Sequence, residues 1–477
     1  MRGSGGKASR GDRKRLITAV QYSREKQYMQ LTKELSDNYT TILKEELMAA
    51  MGCTEPIAIA YAAAKAYREL GEMPDHIRIT CSGNMIKNVR GVTVPNSGGQ
   101  KGIETAAVLG VVGGDAERML EVIANADDAA REKTRELVKA GICDVTLAEN
   151  VPNLYIRAEM WTRDHAAAVT IEEHHTHISE IKKDGQTVFV AEKAGSDRGE
   201  NAPAGDRTKM TLRGILDYAG SVDLSEVEDV LDRQIRFNSA ISQEGLDNPW
   251  GVRVGKTILE NWGDDVKNCA CARAAAGSDA RMSGCPMPVI INSGSGNQGI
   301  TVTMPIVTYA EKWHLSREKT LRCLLVSNLV SIYIKHYIGA LSAFCGAVSA
   351  ACGAGAGITY MSGGTYEQIG GTITNTLGNV GGIVCDGAKP SCAAKIASSV
   401  HAALLGHYMS ISRKEFQGGE GFVENDVEMT IKNMGYIGKI GMRETDREIL
   451  NVMIDKVDVE SCLGEKPAAA DIESKGR

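Results

Sequence analysis

Two cysteines in the segment CDGAKPSC, Cys385 and Cys392, are the strongest signal for chemistry in the sequence. Asp386 and Gly387 are typical of a turn, and Pro390 fits the first turn of a following helix. A helix start there would place free backbone N–H groups beside both thiols, where they can donate to the sulfides of an iron–sulfur cluster. The spacing is wider than the close cysteine pairs of structural zinc sites. The segment is therefore a candidate cluster site, although buried core thiols are the simpler interpretation of these residues alone.

A third thiol must come from elsewhere in the chain, and Cys345 is the best candidate. Small residues follow it in CGAVSAACGAGAG, and they would let a bulky inorganic group lie against the backbone. Cys352 lies two helical turns further on the same face, and spacing alone does not choose between the two. Three protein ligands would leave one iron open as a Lewis acid for a substrate hydroxyl or thiol, whereas four would favour electron transfer.

Cys53 stands directly before a predicted helix start. Thr54 can cap that helix, and Glu55 suits its positive first turn. A thiol at a helix N-terminus has a lowered pKa, so Cys53 is a candidate base for the α-proton of a substrate. A buried structural cysteine and a fourth cluster ligand are the alternatives for this position.

A small amino acid substrate would need polar partners for its carboxylate and its amino group. The loop NSGSGNQ follows a strand-like run, and its N–H groups and hydroxyls suit a carboxylate. Thr54 and Glu55 are candidates for the amino group, with Glu55 pairing to the ammonium. The remaining candidate binding residues, from this loop and from the segments CSGNMIKN and VPNSGG, are Ser293, Ser295, Asn297, Gln298, Asn84 and Asn96.

Three histidines, His174, His175 and His177, cluster in a segment that we predict as a strand. His175 and His177 would then share one face of the sheet, a spacing that can bind a metal. We favour the simpler interpretation of a partly solvated strand.

The surrounding elements predict an α+β fold, in which a mainly helical cluster-binding domain in two chain segments has an α/β domain inserted between them. Residues 33–72 are predicted as two helices, and a later helix is predicted over 339–352. Strand-like runs between 76 and 194 predict an antiparallel sheet, with a turn at Asp184. The predicted units are a flexible basic tail at 1–28, a helical segment at 29–74, the α/β domain at 75–240, the helical iron–sulfur domain at 241–463 and a C-terminal tail at 464–477.

The bulk composition is that of an ordinary globular protein, with 43% hydrophobic and 24% charged residues. A net charge of −6 gives no reason to expect nucleic acid or a membrane as a partner. No apolar segment follows the basic stretch at 1–15, so we expect a cytoplasmic protein whose 12 cysteines remain thiols. We expect a small-molecule substrate, and a homodimer is compatible with the sequence.

Four segments of the chain resemble the L-cysteine desulfidase family, which is related to the iron–sulfur L-serine dehydratases. The resemblance spans residues 35–460. The segments are MGCTEP at 51–56, NSGSGNQ at 292–298, the CGA segment that begins at Cys345, and CDGAKPSCAAK at 385–395.

The resemblance implies a [4Fe-4S] cluster and the conversion of L-cysteine to pyruvate, ammonia and sulfide. It places the catalytic cysteine at Cys53 and a cleft-lining histidine at His175. It makes Cys352 a core residue, because it maps the cluster ligands onto Cys345, Cys385 and Cys392.

Other functions remain open at this point. The same machinery would dehydrate L-serine if the open iron took a hydroxyl, with Cys462 as a candidate tail ligand. A non-catalytic iron–sulfur sensor is the alternative from another class, although a sensor needs neither Cys53 nor a polar loop for an anion. A pyridoxal-phosphate lyase would need a Schiff-base lysine and a phosphate cup, and no lysine stands out for that role.

Overall fold

The computed structural model describes residues 31–191, 205–339, 342–454 and 456–463. The predicted tails at 1–28 and 464–477 lie outside these ranges. The α-helices of the described part are α1 (Lys33–Glu46), α2 (Thr54–Leu70), α3 (Gly83–Val89), α4 (Ile103–Gly113), α5 (Asp128–Lys139), α6 (Leu212–Ser221), α7 (Glu228–Asp247), α8 (Val254–Trp262), α9 (Val266–Met282), α10 (Gly296–Trp313), α11 (Arg317–Ile338), α12 (Gly346–Met361), α13 (Tyr366–Val380), α14 (Cys392–Ile411), α15 (Val427–Tyr436), α16 (Arg443–Met453) and α17 (Val459–Cys462).

The strands form one large sheet and one small ribbon. The strands are β1 (Ala49–Met51), β2 (His76–Ser82), β3 (Cys143–Ala148), β4 (Tyr155–Trp161), β5 (Ala166–Glu172), β6 (Ile178–Lys183), β7 (Gln186–Val190) and β8 (Pro288–Ile290). The large sheet has the order β3-β2-β4-β5-β6-β7, and β1 pairs with β8. A mixed α+β fold is therefore confirmed.

The large sheet buries one face, as the alternation of its residues requires. In β4 the residues Ile156, Ala158 and Met160 are buried while their neighbours are only half-buried. The predicted antiparallel pairing is confirmed from β4 to β7, with positive φ at Asp184 and Gly185 in the last turn. We did not predict β3, which pairs parallel to β2 and makes the sheet mixed.

Helix α2 joins the sheet to the rest of the molecule. Its segment IAIAYAAA is buried all round, and Gly71 ends the helix in the left-handed conformation at φ 86°. The helix packs against β4 and β5 on the buried face of the sheet. Its first residue follows Cys53, so the start of α2 lies where the sheet meets the helical bundle.

The ribbon of β1 and β8 ties the start of α2 to a distant loop. The two strands pair antiparallel, with Met51 opposite Pro288. The hydroxyl of Thr54 then donates to the carbonyl of Gly294 at 3.1 Å. Two segments that are far apart in the chain therefore meet at the N-terminus of α2.

Helix α12 begins at Gly346, so the prediction of a helix over 339–352 is wrong at its start. Residues before Gly346 are extended, because Phe344 forms an antiparallel bridge with Val384. The backbone N–H of Cys345 donates to Ile383 at 3.1 Å, which keeps this residue out of the helix. The bridge places the chain before α12 beside the chain before α14.

The predicted domain limits remain a prediction. Two helices pack across these limits. Helix α6, which we assigned to the α/β domain, packs against α11 of the bundle. Helix α2, which we assigned to the helical domain, packs on the sheet. None of the described helices is both long enough and apolar enough to cross a membrane.

Close helix contacts in the bundle predict a large effect of adding one methyl group. In Gly353→Ala, the new carbon on α12 would overlap the carbonyl oxygen of Ser327 on α11. We expect the free energy of unfolding to fall by about 1–3 kcal/mol, because overpacking pushes the two helices apart. Denaturant unfolding checks this value. Gly91→Ala is the matched control, since a carbon there meets open space and should change stability by less than about 0.5 kcal/mol. Equal effects of the two substitutions would contradict the packing argument.

Candidate active site

One cleft of about 360 Å³ lies between the sheet and the helical bundle, and it collects most of the residues singled out in the sequence. The predicted site residues that line it are Cys53, Glu55, His175, Ser293, Ser295, Asn297, Gln298, Cys345, Cys385 and Cys392. Thr54 does not line the cleft itself. Its hydroxyl lies within hydrogen-bonding distance, 3.1 Å, of both Glu55 and the carbonyl oxygen of Gly294, which do line it.

Two short extended segments and a turn position the three predicted ligand cysteines. Cys345 and Cys385 flank the bridge between Phe344 and Val384, so they lie on paired segments. Cys392 is the first residue of α14, and its backbone N–H donates to Lys389 at 2.9 Å. The fold therefore brings the three thiols to one wall of the cleft.

The three thiols are close enough to affect one another electrostatically. Burial raises the pKa of Cys345 to about 12, and the neighbouring thiolates of Cys385 and Cys392 contribute to that rise. The pKa of Cys392 is also raised, chiefly by burial and in part by Cys385. Like charges at this range raise one another's pKa, so the trio favours a cationic ligand or neighbour.

Two lysines supply positive charge beside the trio. Lys335 is buried in the last turn of α11, and its pKa is lowered because burial outweighs the opposing effect of Cys385 and Cys345. Lys395 pairs with Asp386, and this pairing raises its pKa despite the opposing effect of burial. The cysteine wall is therefore more positive than its thiols alone would make it.

Four helices begin at the cleft, and none of their N-cap side chains makes a capping hydrogen bond. The N-cap residues of these helices, α2, α10, α12 and α14, are Cys53, Ser295, Cys345 and Ser391. Elsewhere in the described chain side-chain caps are common, as at Asp127 and Asp426. The first N–H groups of a helix lack intrahelical partners and favour an anion. The convergence of four such starts makes the cleft suited to negative charge.

Cys53 is a fully buried thiol, and its surroundings raise its pKa, whereas the sequence predicted a lowered pKa. Burial and the carboxylate of Glu55 raise its pKa well above the ordinary value, while Arg281 acts in the opposite direction. Its Sγ donates to Glu55 Oε2 at 3.1 Å. The expectation of a lowered pKa is therefore wrong, because desolvation and a neighbouring carboxylate outweigh the helix start. The expectation that Thr54 caps α2 is also wrong, since Cys53 occupies that position.

A buried polar network holds the loop that precedes α10. The hydroxyl of Ser293 donates to Asn292 Oδ1 at 3.0 Å, and the amide of Asn292 donates to Asn328 Oδ1 at 3.0 Å. Ser293 has φ 50°, a left-handed conformation that the loop imposes on it. Beyond this network, Asn297 Oδ1 and Gln298 Oε1 are buried and have no hydrogen-bond partner. These two oxygens are free to accept hydrogen bonds from a bound molecule.

The histidine cluster lies in a turn between β5 and β6, so the predicted strand is wrong there. The strand ends at Glu172, because Glu173 adopts φ 65° and the backbone then turns. His175 lines the cleft with a buried Nε2 that has no partner, and its pKa is lowered chiefly by burial. His177 is held by the carbonyl of Glu172 at 3.1 Å and does not share a face with His175.

Two predicted binding residues lie away from this cleft. Asn96 donates to the carbonyl groups of Ile123, Ala124 and Ala126, which makes it part of a loop structure. Asn84 lines a smaller pocket beside α16. Cys462, the candidate tail ligand, is exposed at the end of α17 and does not line the cleft.

Sequence reasoning missed Arg281, a cation in the last turn of α9 that lines the cleft. Its residue is 3% exposed, and its Nε has no hydrogen-bond partner. It also missed Lys335, which lines the same cleft. A charged residue within a segment of alanines, as in CARAAAGSDARM, was the available signal.

The described residues contain no group of three or more His, Cys, Asp or Glu side chains placed to hold a single metal ion. The cysteine trio shares the cleft wall without converging on one point. This arrangement differs from that of a tetrahedral zinc site, in which the ligands surround one atom.

Comparison with known proteins gives the family. A family model described as serine dehydratase alpha chain matches residues 116–451. A UPF0597 protein of Lachnoclostridium phytofermentans is 49% identical over 414 residues, covering 87% of this chain and 98% of that protein. A UPF0597 protein of Desulfitobacterium hafniense is 46% identical over 429 residues, with 90% and 99% covered. The chain therefore belongs to the serine dehydratase alpha chain family.

A third relative is similar over a comparable share of the chain. A UPF0597 protein of Finegoldia magna is 46% identical over 421 residues, covering 88% of this chain and 100% of that protein. The residues matched by the family model include Cys345, Cys385 and Cys392, whereas Cys53 precedes them.

The contact between Cys53 and Glu55 predicts how the thiol responds to substitution. In Glu55→Gln the negative charge that raises the pKa of Cys53 is removed, so this pKa should fall. Alkylation requires the thiolate, and Cys53 should therefore react faster at a given pH in this variant than in the wild type. Peptide-resolved mass spectrometry measures the rate across a pH series. Glu69→Gln, near the other end of α2, is the control and should leave the rate unchanged. An unchanged rate in Glu55→Gln would contradict the electrostatic coupling.

Proposed function

We propose that this protein is an iron–sulfur-dependent lyase that converts L-cysteine to sulfide, ammonia and pyruvate. Cys345, Cys385 and Cys392 would hold a [4Fe-4S] cluster, and Cys53 would act on the α-proton of the substrate. The observation that carries the proposal is the meeting of three cysteine thiols with four uncapped helix starts in one cleft. Members of the serine dehydratase alpha chain family are typically iron–sulfur dependent, which supports it.

The residues on the cysteine wall fit a cluster in charge and in shape. Neighbouring thiolates would be stabilised by binding iron, and the positive ends of α12 and α14 suit the negative charge of a thiolate-bound cluster. Two small residues, Ala347 and Ala388, line the cleft beside the thiols, where short side chains suit an inorganic group. A cluster with three cysteine ligands supplies an open iron, a Lewis acid that makes a bound sulfur a better leaving group.

Cys53 and Glu55 form the pair that would move the α-proton. The carboxylate of Glu55 accepts a hydrogen bond from the Cys53 thiol at 3.1 Å, so it orients this thiol at the start of α2. Because burial and Glu55 raise its pKa, Cys53 is a thiol at neutral pH, and it would be a strong base for a proton on Cα once ionised. Removal of this proton accompanies cleavage of the Cβ–S bond, whose electron pair leaves with the sulfur. The remaining 2-aminoacrylate hydrolyses to pyruvate and ammonia.

The cleft walls favour a thiol over a hydroxyl as the leaving group. Apolar side chains that include Ile332, Phe344 and Ile396 line the cleft together with the cysteines. Burying a hydroxyl among such groups without a partner costs more free energy than burying a thiol. Dehydration of L-serine remains the second candidate, and the description of the matching family favours it. A non-catalytic sensor would have no use for the pair of Cys53 and Glu55.

Substitution of single cysteines tests the proposal. Protein purified without oxygen should contain bound iron and sulfide and should release sulfide from L-cysteine. Cys345→Ala, Cys385→Ala and Cys392→Ala should each lose most of the iron, because each removes one ligand. Cys53→Ala should keep the iron and lose about 10²- to 10⁴-fold in turnover, the usual contribution of a general base. Iron analysis and a sulfide assay measure both results.

Cys352→Ala is the matched control, because Cys352 is fully buried in α12 and does not line the cleft. It should keep both iron and turnover. Pyruvate formation from L-cysteine and from L-serine, measured on the same preparation, separates the two lyase candidates. Iron-free wild-type protein with full sulfide release would contradict the cluster, and a cluster-loaded protein inactive on both amino acids would favour the sensor.

A further inference from the structure

Arg281 is a buried cation without a partner among the described residues. It is 3% exposed, its Nε has no hydrogen-bond partner, and no ion pair joins it to a carboxylate of the described chain. Arg273 on the same helix shows the usual arrangement, since it pairs with Glu311 at 2.6 Å. A buried guanidinium without a paired carboxylate is unfavourable. Its presence in a cleft therefore indicates that a bound anion completes the site.

The N-terminus of α10 lies directly against this guanidinium. A carbon added to Gly296 would overlap Arg281 Nε, which shows that only a glycine allows the two to approach. Ser295, the N-cap of α10, makes no capping hydrogen bond. The start of α10 and the guanidinium of Arg281 are therefore neighbours that line the same cleft. Together they suit a planar carboxylate, which takes two hydrogen bonds from arginine.

Two buried side-chain oxygens nearby have no hydrogen-bond partner in the described chain, and they suit a cationic group instead of an anionic one. Asn297 Oδ1 and Gln298 Oε1 are buried acceptors without donors, and both residues follow Gly296 in the first turn of α10. An ammonium group would satisfy them, because it carries donors alone. The site therefore suits a small molecule that carries both an anionic and a cationic group. An α-amino acid zwitterion is such a molecule.

We propose that Arg281 and the N-terminus of α10 bind the α-carboxylate of the substrate, with Asn297 and Gln298 facing its ammonium group. This inference deepens the proposed function, on which it rests, by identifying the residues that select 2-amino acids. Arg281 lines the same cleft as Cys53 and Cys392, so its charge lies in the site that holds the base and the cysteine wall. A carboxylate held there places Cα beside Cys53 and leaves the β-substituent free to reach the thiol trio.

Two thiol compounds that each lack one group of cysteine test the assignment. 3-Mercaptopropionate keeps the carboxylate, and cysteamine keeps the amine. Calorimetry on oxygen-free protein should show that the wild type binds 3-mercaptopropionate at least about tenfold more tightly than cysteamine, the usual size of a charge-assisted contact. Arg281→Met should reduce this ratio to about twofold or less, and Arg281→Lys should give an intermediate ratio.

Arg273→Met is the matched control on α9 and should keep the wild-type ratio. Gly296→Ala is a second variant, which displaces the guanidinium while keeping its charge, and it should also reduce the ratio. Iron content and circular dichroism of each variant show whether the fold and the cluster persist. A folded Arg281→Met protein with the wild-type ratio would overturn the inference.

The inference and the proposed function can fail separately. Sulfide release by the wild type combined with an unchanged ratio in Arg281→Met would overturn the carboxylate site alone. An Arg281-dependent ratio in a protein that releases no sulfide would support the carboxylate site and overturn the proposed reaction.

Discussion

The structure depends on the meeting of four helix starts and two buried basic side chains at one cleft. Helices α2, α10, α12 and α14 start at one cleft without side-chain caps, and Arg281 and Lys335 are buried beside them. Free N–H groups and buried cations are unfavourable unless something negative lies among them. A thiolate-bound cluster on one wall and a carboxylate on another would satisfy this requirement, and the proposed chemistry uses both.

The fold brings these helix starts together by pairing short extended segments. The ribbon of β1 and β8 holds the chain before α2 beside the loop before α10. The bridge between Phe344 and Val384 does the same for the segments before α12 and α14. The large sheet contributes His175 from a turn and supports α2 from its buried face. The rigid parts of the molecule thus fix a site built from loops.

Much of the site was predictable from sequence because its residues stand beside local signals. Cys53 and Cys392 adjoin helix starts, and the glycine–serine loop follows a strand, so short-range patterns located them. The direction of the pKa shift of Cys53 was not predictable, because it depends on burial and on Glu55 packing against it. Arg281 was missed for a similar reason, since only tertiary packing shows that it lacks a partner. The strand predicted around His175 failed because a turn with positive φ at Glu173 overrides the apolar alternation.

The central claim is that three cysteines hold a cluster with one iron left open. X-ray diffraction at the iron absorption edge, from crystals grown without oxygen, tests it most directly. We expect anomalous density for four irons between Cys345, Cys385 and Cys392, with one iron not bound by any of these thiols. Absence of iron density at the cysteine wall, or a cluster seated on a different set of residues, would contradict the account.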